Sequence, residues 1–237
     1  MTRVPKVSLF FVSMEKTDDA SFSFRVLLGQ ARFSDQSDEE REKQHVNPWE
    51  GMWSDFTARV VAGSPPEQSA YWATWSQTCG LLDPVRMKVV ARFVTRHTRA
   101  QHTMYTMVVT NEASFEYIPA FFGRVFEWNA SLRSGPRLMK QELRWFPLQQ
   151  IVDAMVDPDP HVPFQGGFLR TVCSLLHWDV TPPKPQETAD QRLLSLIQNF
   201  GPDNPPTILR RPEEQDGDGD GKTGNKNGDV EVVPAGC

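Results

Sequence analysis

The sequence predicts one α/β domain, strands and helices packed in layers, followed by a helical extension and an acidic tail. Three observations carry this. Short runs rich in β-branched and aromatic residues recur over 4–14, 22–33, 85–94, 102–110 and 143–146, bounded by turn residues. The stretch from Asn47 to Leu82 reads as a short strand, a Gly/Pro turn, one compact helix and a glycine stop. Towards the C-terminus, 167–178 and 189–200 place apolar residues at helical spacing.

In order, the first two strands are 4–14 and 22–33, joined through the turn cluster Thr17-Asp18-Asp19. Residues 34–46, SDQSDEEREKQHV, form a charged insertion read as a solvated loop or short exposed helix. The helix at about 66–79 follows Gly63-Ser64-Pro65-Pro66, where serine can cap and proline suits the first turn. Its residues Trp72, Trp75 and Cys79 fall at i, i+3 and i+7, an apolar stripe expected to face a core. Thr74, Gln77 and Thr78 make a second, uncharged stripe, and Gly80 stops the helix.

Lys88, Val90, Arg92 and Val94 share a face by two-residue alternation, with Arg96 next in line and Arg99, His97 and His102 in the following turn. Such a row suits phosphate oxygens. The alternative is a solvent-facing strand that is simply decorated with arginine. Residues 111–136 are aromatic-rich and too long for a structureless loop, so FFGRVFEW at 121–128 is expected to be a strand. Then come the strand at 143–146, a helix at 148–156, and a helix at 167–178 with Leu169, Val172, Cys173 and Leu176 on its core face. A linker with Pro182, Pro183 and Pro185 leads to the helix at 189–200, which uses Leu193, Leu194, Ile197 and Phe200 to dock. The expected divisions are 1–181 for the main domain, 182–211 for linker and docking helix, and 212–237 for a disordered, Gly-rich tail.

Seven Trp and fifteen Phe in 237 residues suffice for one substantial core. No run approaches the ~18–20 apolar residues that cross a membrane, and the first sixteen residues read as a strand instead of a signal peptide. Three widely spaced cysteines make neither a metal pattern nor a disulfide framework, so a reducing compartment is expected. Net charge is −5, all of it from the tail beyond Pro212; the remainder carries 23 acids and 23 bases. Asp216-Gly-Asp218-Gly-Asp220-Gly221 begins like a calcium loop, but its twelfth position is Asn227 where a Glu is needed. Gly221-Lys222-Thr223 ends like a P-loop without the first glycine.

The 47–82 stretch resembles the Nudix hydrolases, whose box runs Gly, five residues, Glu, seven residues, Arg-Glu, apolar, any, Glu-Glu, any, Gly, apolar. VLLGQAR at 26–32 is similar to the strand before the box, EGMWSDF at 50–56 to the approach to its loop, and QELRWFPLQQI at 141–151 to the last strand and closing helix. The likeness spans roughly 4–180. It implies a mixed sheet sandwiched between helices. Counting back from Gly80, Gln77 and Thr78 stand at the metal-binding Glu pair, Ala73-Thr74 at Arg-Glu and Pro65 at the first Glu. Counting forward from Gly63 moves the register by one and still finds no Glu at those positions.

Pyrophosphate hydrolysis needs divalent metal held by carboxylate oxygens. The resemblance implies Mg2+, yet Thr74, Gln77 and Thr78 cannot supply the charge. Glu50, Asp55, Glu67, Glu127 and Glu142 are the available carboxylates, with Glu127 and Glu142 the expected catalytic replacements. Trp53, Phe33, Phe122 and Trp128 are candidates to stack on a base, with core packing the other reading for Trp53 and the favoured one for Phe122. Arg32, Arg59, Arg92, Arg96, Arg99 and His97 are the candidates for phosphates, and Arg144 reads as a sheet-face charge. Two functions follow: a protein binding nucleoside triphosphates or RNA 5′-triphosphate ends, with pyrophosphate removal and a mitochondrial RNA-processing partner implied by the resemblance, or a catalytically inactive protein-interaction scaffold.

Overall fold

A computed structural model describes residues 4–18, 21–32, 48–82, 87–97, 102–111, 116–131, 139–176, 187–199 and 207–208. The charged insertion, the proline linker and the acidic tail lie outside these residues, as do Phe33 and Arg99.

The centre is β1 (Lys6–Lys16). Val7, Leu9 and Phe11 enter one apolar cluster while Phe10 and Val12 enter another, so this strand is covered on both faces. Its C-terminal half pairs antiparallel with β2 (Phe22–Ala31) and its first residues with β4 (Phe56–Arg59). The other edge runs parallel to β6 (His102–Asn111), which makes the sheet mixed. Beyond β6 lie β5 (Met87–His97) and β8 (Thr207–Ile208). β3 (Trp53–Ser54) and β7 (Lys140–Pro147) both pair with β2, completing eight strands.

One face is covered by α1 (Pro66–Gln77) and α2 (Ile118–Ser131), through Ala70, Ile118 and Phe122. α3 (Leu148–Asp153), α4 (Gly166–Leu175) and α5 (Ala189–Asn199) cover the other, through Ile151, Phe168, Val172 and Leu193. The result is the expected α/β/α sandwich with a C-terminal helical extension. α5 is fastened by Asp190, whose carboxylate accepts the Phe24 amide at 3.0 Å, and by the Ala189 amide donating to Gln149. Burial pushes the Asp190 carboxyl up, an effect the Phe24 amide partly offsets.

Two expectations are overturned. FFGRVFEW belongs to α2, a helix: Ile118, Phe122 and Phe126 recur every four residues on its inner side while Ala120 and Arg124 between them are exposed, whereas a strand would put all five on one face. In and just after α4 the expected Val172 and Leu176 are fully buried and Leu169 packs against the same cluster; Phe168, Thr171 and Leu175 join them, and Cys173 is half-buried. The most consequential reversal is in α1. Trp72 and Trp75 are nearly half exposed, while Ser69, Ala70, Tyr71, Ala73, Thr74 and Gln77 are buried, Tyr71 being the one large side chain among them. Small side chains allow the helix to lie close to β4 and β1, where two tryptophans would hold it off.

Candidate functional site

The residues of the eroded box form a neutral, buried surface. Thr78 donates its hydroxyl to the Thr74 carbonyl at 2.7 Å and accepts the Leu82 amide. Gln77 donates to the Thr57 carbonyl at 3.2 Å, tying α1 to β4. The Thr74 hydroxyl is fully buried and has no hydrogen-bond partner among the described residues. Gly63 and Gly80 adopt positive φ at the two ends, as the turn and stop require.

Next to this surface is a polar node that the sequence named only in part. Asp55, between β3 and β4, is buried and accepts hydrogen bonds from Ser8 of β1 and from Thr57 at 2.7 Å. Lys140, the first residue of β7, is also buried. An extra residue, Gln141, stands in β7 where Gln30 pairs with Glu142 and Ala31 with Lys140. This bulge releases Lys140 from the strand's alternation. Its stem then crosses β2 over Gly29, where a Cβ would lie 2.8 Å from Lys140 Cδ and 2.9 Å from Cγ. The ammonium donates to the Gly29 carbonyl at 3.0 Å and to Ser54 Oγ at 2.7 Å, with the Asp55 carbonyl at 3.4 Å.

Burial dominates the electrostatics of both groups. It raises the Asp55 carboxyl against the lowering effects of Ser8, Thr57 and Lys140. It lowers Lys140 to about 8 against the attraction of Asp55. Sequence inspection counted Asp55 among the free carboxylates and passed over Lys140. The available signal was Gly29, a glycine inside a strand, which marks a close approach.

A divalent cation does not fit this surface. The helix offers two threonines and a glutamine, Asp55 is engaged by two hydroxyls and a nearby ammonium, and no group of three or more His, Cys, Asp or Glu converges among the described residues. Glu142 is ion-paired at 2.8 Å with Arg144 on β7, and Glu127 is exposed on α2.

The predicted phosphate and base ligands are likewise dispersed. Trp53 is core: its ring packs edge-on against Phe146 at 4.9 Å and Arg144 lies over it at 5.0 Å. Its backbone is clamped by Pro163 and Gln165. Phe122 is core as expected, and Trp128 is exposed. Arg32 lies over Phe126 at 5.6 Å, and Arg59 is exposed at the end of β4. The row on β5 is broken. A register shift between Val89 and Ala91 leaves Lys88 opposite Thr110 but Arg92 opposite Met107, on the other face. Arg92 and Val94 follow one another opposite Met107 and Tyr105, on the side that carries α1, and Arg96 pairs with Thr103. Arg92 reaches Glu67 in the first turn of α1 at 3.4 Å. His97 ends β5 opposite His102.

The chain matches no family model and no curated protein. Among solved structures it is similar to a Nudix hydrolase from M. smegmatis, RenU, at 16% identity and TM-score 0.41, covering 79% of this chain and 93% of that one. It is also similar to the Nudix domain of Shewanella oneidensis NrtR complexed with ADP ribose, at 13% and 0.38, covering 72% and 84%. A C. elegans Ap4A hydrolase gives 11% and 0.38, covering 73% and 98%.

Two outcomes test the node. Gly29→Ala is expected to destabilise by ~1–3 kcal/mol because the new methyl meets the Lys140 stem. In a Lys140→Ala background most of that cost should vanish, a coupling that urea unfolding of the four proteins measures. The second outcome concerns pH. Folded Lys140 titrates near 8 and an unfolded lysine near ~10.4, so between these values the unfolded chain holds a proton that the folded one has released. Stability therefore rises with pH over that window, by on the order of 3 kcal/mol. Unfolding titrations should show this rise in the wild type and not in Lys140→Met.

Proposed function

We propose that this protein binds the triphosphate of a nucleotide or of an RNA 5′ end on the side of the sheet that carries α1. One observation carries the reading: Arg92 and Arg96 occupy alternate positions of β5, opposite Met107 and Thr103, and Arg92 reaches Glu67 in the first turn of α1. Arginines at alternate positions of one strand, one of them beside a helix whose single carboxylate is Glu67, suit several phosphates in sequence. Arg92 exchanges its half-exposed pair with Glu67 for phosphate at little cost, since such surface pairs are worth only ~0–1 kcal/mol.

Pyrophosphate removal is the further step of this reading. The neutral face of Thr74, Gln77 and Thr78 does not support it, so Glu127 and Glu142 would have to move to serve it. A mitochondrial RNA-processing role with a protein partner rests on a resemblance of the degenerate helix to the trypanosomatid mitochondrial edited mRNA stability factor, a proposed 5′ pyrophosphohydrolase. The second reading, an inactive interaction scaffold, is favoured by the exposed Trp72 and Trp75.

The test compares a short 5′-triphosphate RNA with its 5′-monophosphate counterpart. The triphosphate should bind more tightly, with affinity that falls steeply as salt rises. Replacing Arg92, Arg96 and Arg99 together by Ala should weaken it at least ~100-fold. Equal affinity for both RNAs, or an unaffected triple variant, removes the phosphate assignment and leaves the scaffold.

A further inference from the structure

We propose that the outer face of α1 and α2 is the contact between two copies of this chain. Both helices lie on one side of the sheet. Outward from α1 stand Trp72 and Trp75, 46% and 44% exposed, their rings edge to face at 6.2 Å. Tyr117, Phe121 and Trp128 are 61%, 50% and 66% exposed. With the exposed Arg124 they fall at i, i+4, i+7 and i+11, one straight stripe along α2. The opposite helical layer offers only Val156, just past α3, as an exposed large apolar residue among those described.

The exposed area is of the size an association needs. Each aromatic presents ~150–250 Å2, so five rings about half exposed leave on the order of 500 Å2 per copy. That is more than half of the ~800 Å2 per partner in a standard interface, before any neighbouring residue is counted. Solitary exposed aromatics need no explanation, whereas five on one layer do.

Charge selects the occupant. The exposed charges of α1 and α2 are Glu67, which is paired with Arg92, and one arginine and one glutamate on α2, Arg124 and Glu127. A balanced patch meets its own copy without like-charge excess, the condition for a two-fold contact using the same surface twice. A polyanion finds no net positive charge there. This contact is independent of phosphate binding on β5, and the two are tested separately.

Sedimentation equilibrium of the full chain is expected to show a dimer at tens of micromolar. Phe121→Glu and Trp75→Glu, each changing an exposed side chain, should weaken it at least tenfold, while Val156→Glu leaves it intact. Should one variant fail to fold, the other decides. In the wild type, iodide quenching of tryptophan fluorescence should also fall as concentration rises. A monomeric wild type, a dimer indifferent to both substitutions, or quenching that does not change with concentration would each overturn the proposal.

Discussion

The ammonium of Lys140, held among the oxygens of Gly29, Ser54 and Asp55, is the contact on which the functional side of this fold depends. It joins β7 to β2 and to the β3–β4 junction at the point where a bulge interrupts the β2–β7 ladder. From Asp55 the connection passes through Thr57 to Gln77, and so to α1. A buried lysine is costly unless its donors are satisfied and a counter-charge is near. Both conditions are met here, and Gly29 is the residue that makes room for them.

That chain of contacts also gives α1 its character. Its inward residues act as packing and hydrogen-bonding groups: Thr78 closes the helix end, Gln77 is spent on β4, and Thr74 is sealed from water. A surface of this kind holds a helix in place and does not gather a doubly charged cation. On the proposed reading, affinity for phosphates comes from arginine. The bulge in β5 decides which arginines qualify, because it puts Lys88 on one face and Arg92 on the other.

Much of the architecture was legible in the sequence. The strand runs, the turn at Gly63, the stop at Gly80 and the docking of the helix from Ala189 through Leu193, Leu194 and Ile197 each rest on local rules that tertiary structure did not override; Phe200 lies outside the described residues. Three things were not legible, each for a physical reason. Two-residue alternation fails across a bulge, so the row of bases on β5 was drawn too long and Lys140 was not singled out. Aromatic content was taken for a strand in α2, although Ile118, Phe122 and Phe126 carry the four-residue period. In α1 the larger apolar stripe was assumed to face inward, but the close approach to β4 favours small residues there and turns the tryptophans out. Of the candidate site, Arg92 was named from the sequence but its pairing with Glu67 on α1 was not, Trp53 proved to be core, and Glu142 a partner of Arg144.

The central claim is that phosphate recognition on this scaffold proceeds without a metal at the α1 face. The most direct measurement is an electron paramagnetic resonance titration of the protein with Mn2+, counting ions bound tightly. The account predicts no tight stoichiometric site, and no change when Glu127 and Glu142 are replaced by Gln. A single tight site that either glutamine substitution abolishes would contradict it, and would show that carboxylates outside α1 have rebuilt a metal centre.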